Sequence, residues 1–463
     1  MRFGIVLLLL ITVRVFGQSA ADNKLLVNAI RINGNEKTRR AIILREMEFK
    51  QGDTLSLHKL SSLIDKSRSN LLNTELFNFV KLDKTIRKGK VDVVVNVTEQ
   101  WYSWVFPIFE IADRNFNAWW RKMDFNRADY GLLFIQENFR GRAEYIHFKA
   151  ITGYNEYLEF RYAIPYIDKK KRFGLELNTE ISRRHETRVS TFEDEVSFFK
   201  SENRYPFKKY HGEIILSYRP EINNVHSFSV AYDDYSFHDT LLSINPDYLH
   251  TSQSETNFIT LKYKWVSDYR DYISYPLQGH YIDFSLIKNG LGLIENDINF
   301  WQIKGELAKY WHLGKRFHFA SSVSGMLSEE KNQPYFLNKG LGYTDQYVRS
   351  YEYKVINGNA YGLARANIKY TLIPTQTLTM DFIPLKQFSE VFFALYLNAF
   401  VDAGYVDGFD NWKSNGNKLP GNFLLGKGIG LDLVTYYEKV LRLEYSWNKQ
   451  NQGGLFIHFR API

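Results

Sequence analysis

Few residues in this chain are of a type and spacing that could do chemistry. Arg349 stands between aromatics in Tyr347-Val348-Arg349-Ser350-Tyr351, within a long stretch that reads as a loop. Asp402 sits in Phe400-Val401-Asp402-Ala403-Gly404, within a strand that alternates cleanly. If Leu397, Ala399 and Val401 take one face of that strand, then Asn398, Phe400 and Asp402 share the other. A carboxylate on an enclosed polar face needs a partner, and a planar guanidinium supplies two aligned donors. Such a pair locks a structure and turns over no substrate. The His-Glu-x-x-His, Gly-x-Ser-x-Gly and phosphate-loop patterns are missing, and the 11 His are scattered. The run Asp233 to Asp239 gathers three Asp with His238 and could hold a cation, yet on a loop it reads better as solvated charge. We therefore expect no enzyme, no cofactor and no metal.

Composition narrows the class. The chain has 463 residues, with 59 Lys+Arg against 51 Asp+Glu and a formal net charge of +8. The basic excess is spread along the chain, which argues against nucleic acid as a partner. Aromatics make up 16% of the residues, too many for a disordered chain. There is no cysteine, which excludes disulfides, thiolate metal sites and a cysteine-linked lipid anchor. Residues 1–17 read as an export signal: Arg2, then an apolar run from Phe3 to Val13, then small Gly17 before the expected cut. That run is too short to span a bilayer as a helix.

Two regions with different periods must position the candidates. Residues 24–100 mix strand and helix signals: a strand in Leu25 to Gly34, a helix in Lys37 to Met47, and a second helix capped by Ser56. Two strands follow around Lys88-Gly89-Lys90. The order is β-α-α-β-β, an α+β domain. From Trp101 to the end, residues 101–463, helix periodicity disappears and segments alternate with period two. Leu441, Leu443, Tyr445 and Trp447 oppose Arg442, Glu444, Ser446 and Asn448; Arg365, Asn367 and Lys369 oppose Ala366, Ile368 and Tyr370. This is the pattern of an all-β transmembrane antiparallel barrel, lipid outside and polar within, where a lipid-facing Lys or Arg at mid-depth would cost roughly 2–4 kcal/mol. Strands are expected to begin near 101, 129, 142, 157, 172, 211, 225, 255, 280, 299, 316, 360, 391, 423, 438 and 453. That is sixteen, an even number as closure requires. With short connections on the periplasmic side, Arg349 falls on the sixth outer loop.

The N-terminal pattern, with Arg31-Ile32-Asn33-Gly34-Asn35 and the "LLNTELFNFV" stretch before the hairpin, resembles a POTRA domain, the periplasmic polypeptide-binding module of the BamA/TamA family. The remainder resembles the barrel of the same family. Val348-Arg349-Ser350-Tyr351 is similar to its Val-Arg-Gly-Phe/Tyr motif on a loop folded into the lumen, and Phe400 to Gly404 to its Phe-x-Asp-x-Gly wall element. The resemblance implies contact between Arg349 and Asp402, with Val348, Tyr351, Phe400 and Gly404 around them. Ser350 replaces the usual glycine, so a different tip conformation is expected. It further implies a seam between first and last strands that opens sideways to admit a client strand. Candidate seam residues are Tyr102 on the first strand and Gly453 and Gly454 at the start of the last. The strand near Phe79 to Ile86 offers a further pairing edge. The implied work is inserting or translocating polypeptides at the outer membrane, with the small domain in the periplasm. The implied partners are the bilayer, unfolded or extended polypeptides, and periplasmic chaperones or accessory lipoproteins. Alternatives are a two-partner-type secretion pore, a passive porin or surface adhesin, and a soluble periplasmic β enzyme.

Overall fold

The computed structural model describes residues 24–459 except 112–127, 202–203, 250–252, 295–297, 330–332, 381, 384–385, 408–414 and 436–438. The expected export signal, residues 1–17, lies outside the described residues.

The N-terminal domain contains β1 (Lys24–Asn33), α1 (Arg40–Arg45), β2 (Thr54–Ser56), α2 (Leu57–Leu72), β3 (Phe77–Arg87) and β4 (Lys90–Glu99). Its sheet has the order β2-β1-β4-β3, with β1 and β4 parallel. The three-residue β2 is an addition to the expected β-α-α-β-β order. Ser56 closes α2 by accepting from the Lys59 backbone N–H at 3.4 Å. Lys88 and Gly89 both take positive φ, the backbone of a tight turn between β3 and β4. Alternation in β4 turns Val91, Val93, Val95 and Val97 onto Ile43, Leu60 and Leu71 of the helices. Full burial of each such side chain contributes about 1.5–3 kcal/mol.

The remaining strands form one antiparallel sheet of sixteen, in sequence order. Its first half contains β5 (Ser103–Ile111), β6 (Ala128–Phe139), β7 (Glu144–Gly153), β8 (Glu156–Ile164), β9 (Phe173–Arg184), β12 (Phe207–Glu221), β13 (Asn224–Phe237) and β14 (Glu255–Asp268). Between β9 and β12 lies a separate hairpin, β10 (Glu186–Phe192) and β11 (Glu195–Lys200). The second half contains β15 (Gly279–Asn289), β16 (Phe300–Gly314), β17 (Phe317–Ser328), β18 (Ala360–Thr379), β19 (Glu390–Asp407), β20 (Leu424–Thr435), β21 (Lys439–Asn448) and β22 (Gly453–His458). Among the described residues no helix is long and apolar enough to cross a membrane. In β21, Leu443 and Tyr445 are exposed on the outside while Arg442, Glu444 and Ser446 are buried within. The sorting follows from the alternation read in the sequence.

The N-terminal domain docks on the connections 140–143, 165–172 and 269–278 and on the end of β12 at Arg219, all on the same end of the sheet. Arg219 grips the Glu46 carboxylate with two nitrogens at 2.7 Å, and the Tyr166 hydroxyl adds a third contact to it. Arg39 donates its backbone N–H to the Gly141 carbonyl, and Asn73 bonds both Arg270 and Ile273. At the opposite end, loops and the β10–β11 hairpin pack into an apolar cap around Phe237, Tyr248, Phe300, Tyr335 and Phe336. The Asp194 carboxylate at the hairpin tip accepts the backbone N–H groups of Lys418 and Leu419, and its carbonyl accepts that of Val355. One short hairpin is thereby joined to two other loops.

Candidate functional site: the inserted loop and the seam

The connection between β17 and β18 turns back into the sheet's interior. Alternation on β19 places Asp402 on that interior face, and the loop brings Arg349 to it. Arg349 donates from Nε to Oδ2 at 2.7 Å, from Nη2 to Oδ1 at 2.5 Å and from its backbone N–H to Oδ2 at 3.1 Å. Neither side chain is exposed at all. The guanidinium also lies 3.7 Å from the Phe400 ring centre, a cation–π contact on its open face.

The neighbours explain the rest of the motif. Val348 packs with Leu341, Tyr351, Leu363 and Leu424. A Cβ on Gly404 would meet Val348 Cγ2 at 2.5 Å, and one on Gly426 would meet the Arg349 carbonyl at 1.9 Å. The wall is bare at these two positions because loop backbone and side chain lie against it. Ser350 keeps the left-handed conformation, φ 75°, that a glycine would take freely. The Ser350 hydroxyl is left buried without a hydrogen-bond partner.

Two groups went unassigned in the sequence. Arg365 donates to the carbonyls of Asp345 and Tyr347 at 2.8 Å each, holding the loop's entry. Lower in the interior, Arg442 grips Asp432 at 2.6 and 2.7 Å, and Asp432 also accepts from Tyr275 and Asn398. Asp432 and Arg442 are direct cross-strand partners, so the hairpin register plus interior parity would have found them. Tyr275 comes from the 269–278 connection, which bends inward and which no periodicity marks.

The Asp233 to Asp239 run does not converge. Asp233 faces in and pairs with His211 at 2.9 Å, whereas His238 caps a short helix by accepting the Thr240 N–H. Asp234 is the next residue on the strand and takes the opposite face.

Tyr102 is not a seam residue. It is 2% exposed in the core of the N-terminal domain, and its hydroxyl donates to the Leu76 carbonyl at 2.8 Å. Burial raises its hydroxyl pKa, so it stays neutral. The first strand begins one residue later. Gly453 and Gly454 do begin the last strand, paired with Trp447 and Ser446, and a Cβ on either would press on an aromatic ring. The strands β5 and β22 are the two ends of the sheet order, and no ladder joins them among the described residues. Pro107 lies in β5, a residue that sheets tolerate at an edge because it has no N–H to donate. In the N-terminal domain β3 is likewise an edge strand.

A polar-lined, sixteen-strand antiparallel sheet with an inserted, arginine-clamped loop and a small α/β domain under one mouth defines a class: outer-membrane-type barrels that carry a POTRA domain. The Omp85 superfamily domain matches residues 138–460, and the POTRA description "Surface antigen variable number repeat" matches residues 25–100. The chain belongs to the Omp85 superfamily, whose members act on polypeptides in the outer membrane as transporters or assembly factors. Its fold is similar to BamA from Haemophilus ducreyi lacking POTRA domains 1–3, at 17% identity and TM-score 0.50, covering 94% of this chain and 83% of that one. It is also similar to CdiB from Escherichia coli, at 11% identity and TM-score 0.54, covering 94% and 75%. A sequence comparison with curated proteins finds no match.

Proposed function

We propose that this protein resides in the outer membrane, with its small domain in the periplasm, and inserts or translocates polypeptides there. A client segment would pair with the free edge of β3 or with the barrel's own terminal strands, by strand addition. The observation that carries this reading is the lack of a β5–β22 ladder among the described residues, together with an interior occupied by the Arg349 loop and capped at the far end. An edge strand with unpaired backbone groups is a template for another chain, whereas a filled and capped interior is a poor diffusion path. That combination argues against a passive porin. Periplasmic chaperones or accessory lipoproteins would deliver clients, and nucleic acid has no part.

The likeness to CdiB supports a second reading, a secretion pore, in which the loop would leave the interior to let a client through. One experiment separates the two. A photo-crosslinking residue is placed at Val105, which is 60% exposed on β5. Capture of other barrels by their terminal strands in growing cells supports insertion through the seam. Crosslinks only to β22 of the same chain refute it and leave the pore.

A further inference from the structure

We infer that the interior holds a divalent transition-metal site, of the zinc class, built from Glu352, Glu444 and His458. Scattered in the sequence, these residues come from the inserted loop, β21 and β22. Their ligand atoms lie within 4.8 Å of one another. His458 Nε2 is 3.2 Å from Glu444 Oε1 and 3.9 Å from Glu352 Oε1. Ligand atoms around a tetrahedral zinc stand about 3–3.5 Å apart, so small side-chain rotations would close the set.

A cluster of acids alone would carry nothing, and two further observations point to a ligand. The Glu444 side chain has no exposure, and its Oε2 has no hydrogen-bond partner. A buried carboxylate oxygen without a donor is costly, and a cation would satisfy it. His458 Nδ1 is 3.3 Å from the Tyr347 hydroxyl. Without an ion, Nε2 donates to Glu444 Oε1 at 3.2 Å and the Tyr347 hydroxyl donates to Nδ1; an ion at Nε2 would displace that proton, and Nδ1 would then donate to the Tyr347 oxygen. Metal-binding histidines are commonly oriented by such a partner on the other ring nitrogen. Glu352 and His458 retain slight exposure, 11% and 16%, which gives an ion a way in from the interior. One imidazole with two carboxylates suits zinc and its neighbours better than calcium or magnesium, which favour all-oxygen sets.

A cation there would tie the inserted loop to β21 and β22, the strands on one side of the seam. Binding itself does not depend on whether the seam opens, so the two ideas fail separately. The test uses the full chain in detergent micelles, stripped with a chelator and titrated with Zn2+ by calorimetry, then with Co2+ read by visible absorption. We expect saturable binding of one ion per chain, loss of that binding in Glu352→Gln and in His458→Ala, and about tenfold weaker binding in Tyr347→Phe, which keeps all three ligands. Calcium should not compete. Absence of saturable binding in the unaltered chain, or equal binding in all three variants, overturns the site and leaves two carboxylates sharing a proton.

Discussion

Arg349 and Asp402 are enclosed so fully that neither charge has water to turn to if the other is removed. Arg349→Ala or Asp402→Ala should each cost roughly 3–5 kcal/mol of loop anchoring. The double variant should be little worse than either single, because each already breaks the same contact. The temperature at which the barrel loses its folded gel mobility would measure this, and additive losses would refute the coupling. Ser350 carries the opposite expectation. Its left-handed backbone and unpartnered hydroxyl both oppose the loop. Ser350→Gly should therefore raise stability by about 1 kcal/mol, read as an upward shift in the same transition.

At the scale of elements, the contact between loop and β20 is backbone against bare wall. Gly426→Ala should drive the loop off, exposing residues 349–358 to protease in the folded barrel. Gly362→Ala on β18, where a Cβ meets nothing within 4 Å, should leave the cleavage pattern unchanged. The elements themselves were largely legible. Alternation of side chains is a two-residue property, so Leu443 against Glu444, or Ile368 against Lys369, betrays a strand with one wet and one greasy face. Arg349 with Asp402 was legible because each lies in a recognisable motif. Tyr102 was misjudged by a single position, since nothing local distinguishes the last residue of one core from the first of the next strand. Asp432, Arg442 and Tyr275 were missed because their meeting depends on a connection that folds inward, a decision made by packing rather than by period. Glu352, Glu444 and His458 lie on three different elements and no spacing rule links them.

For the molecule as a whole, the Glu46–Arg219 clamp fixes the small domain beneath the mouth. Glu46 is 1% exposed, so Glu46→Ala would strand the Arg219 guanidinium against Tyr166. The domain should then swing, and protease should cut faster between residues 100 and 103, while the barrel keeps its own transition. The β10–β11 hairpin carries a different implication, one of timing. Asp194 holds the backbone of Leu419, 225 residues further along the chain. Glu46 waits across 173 residues for Arg219. Contacts of such long sequence separation form slowly, because loop-closure entropy is lost before any of them is gained. The cap cannot close until nearly the whole chain has been delivered. Maturation of this barrel should therefore end in a slow phase, with the hairpin around Asp194 among the last parts to become protected.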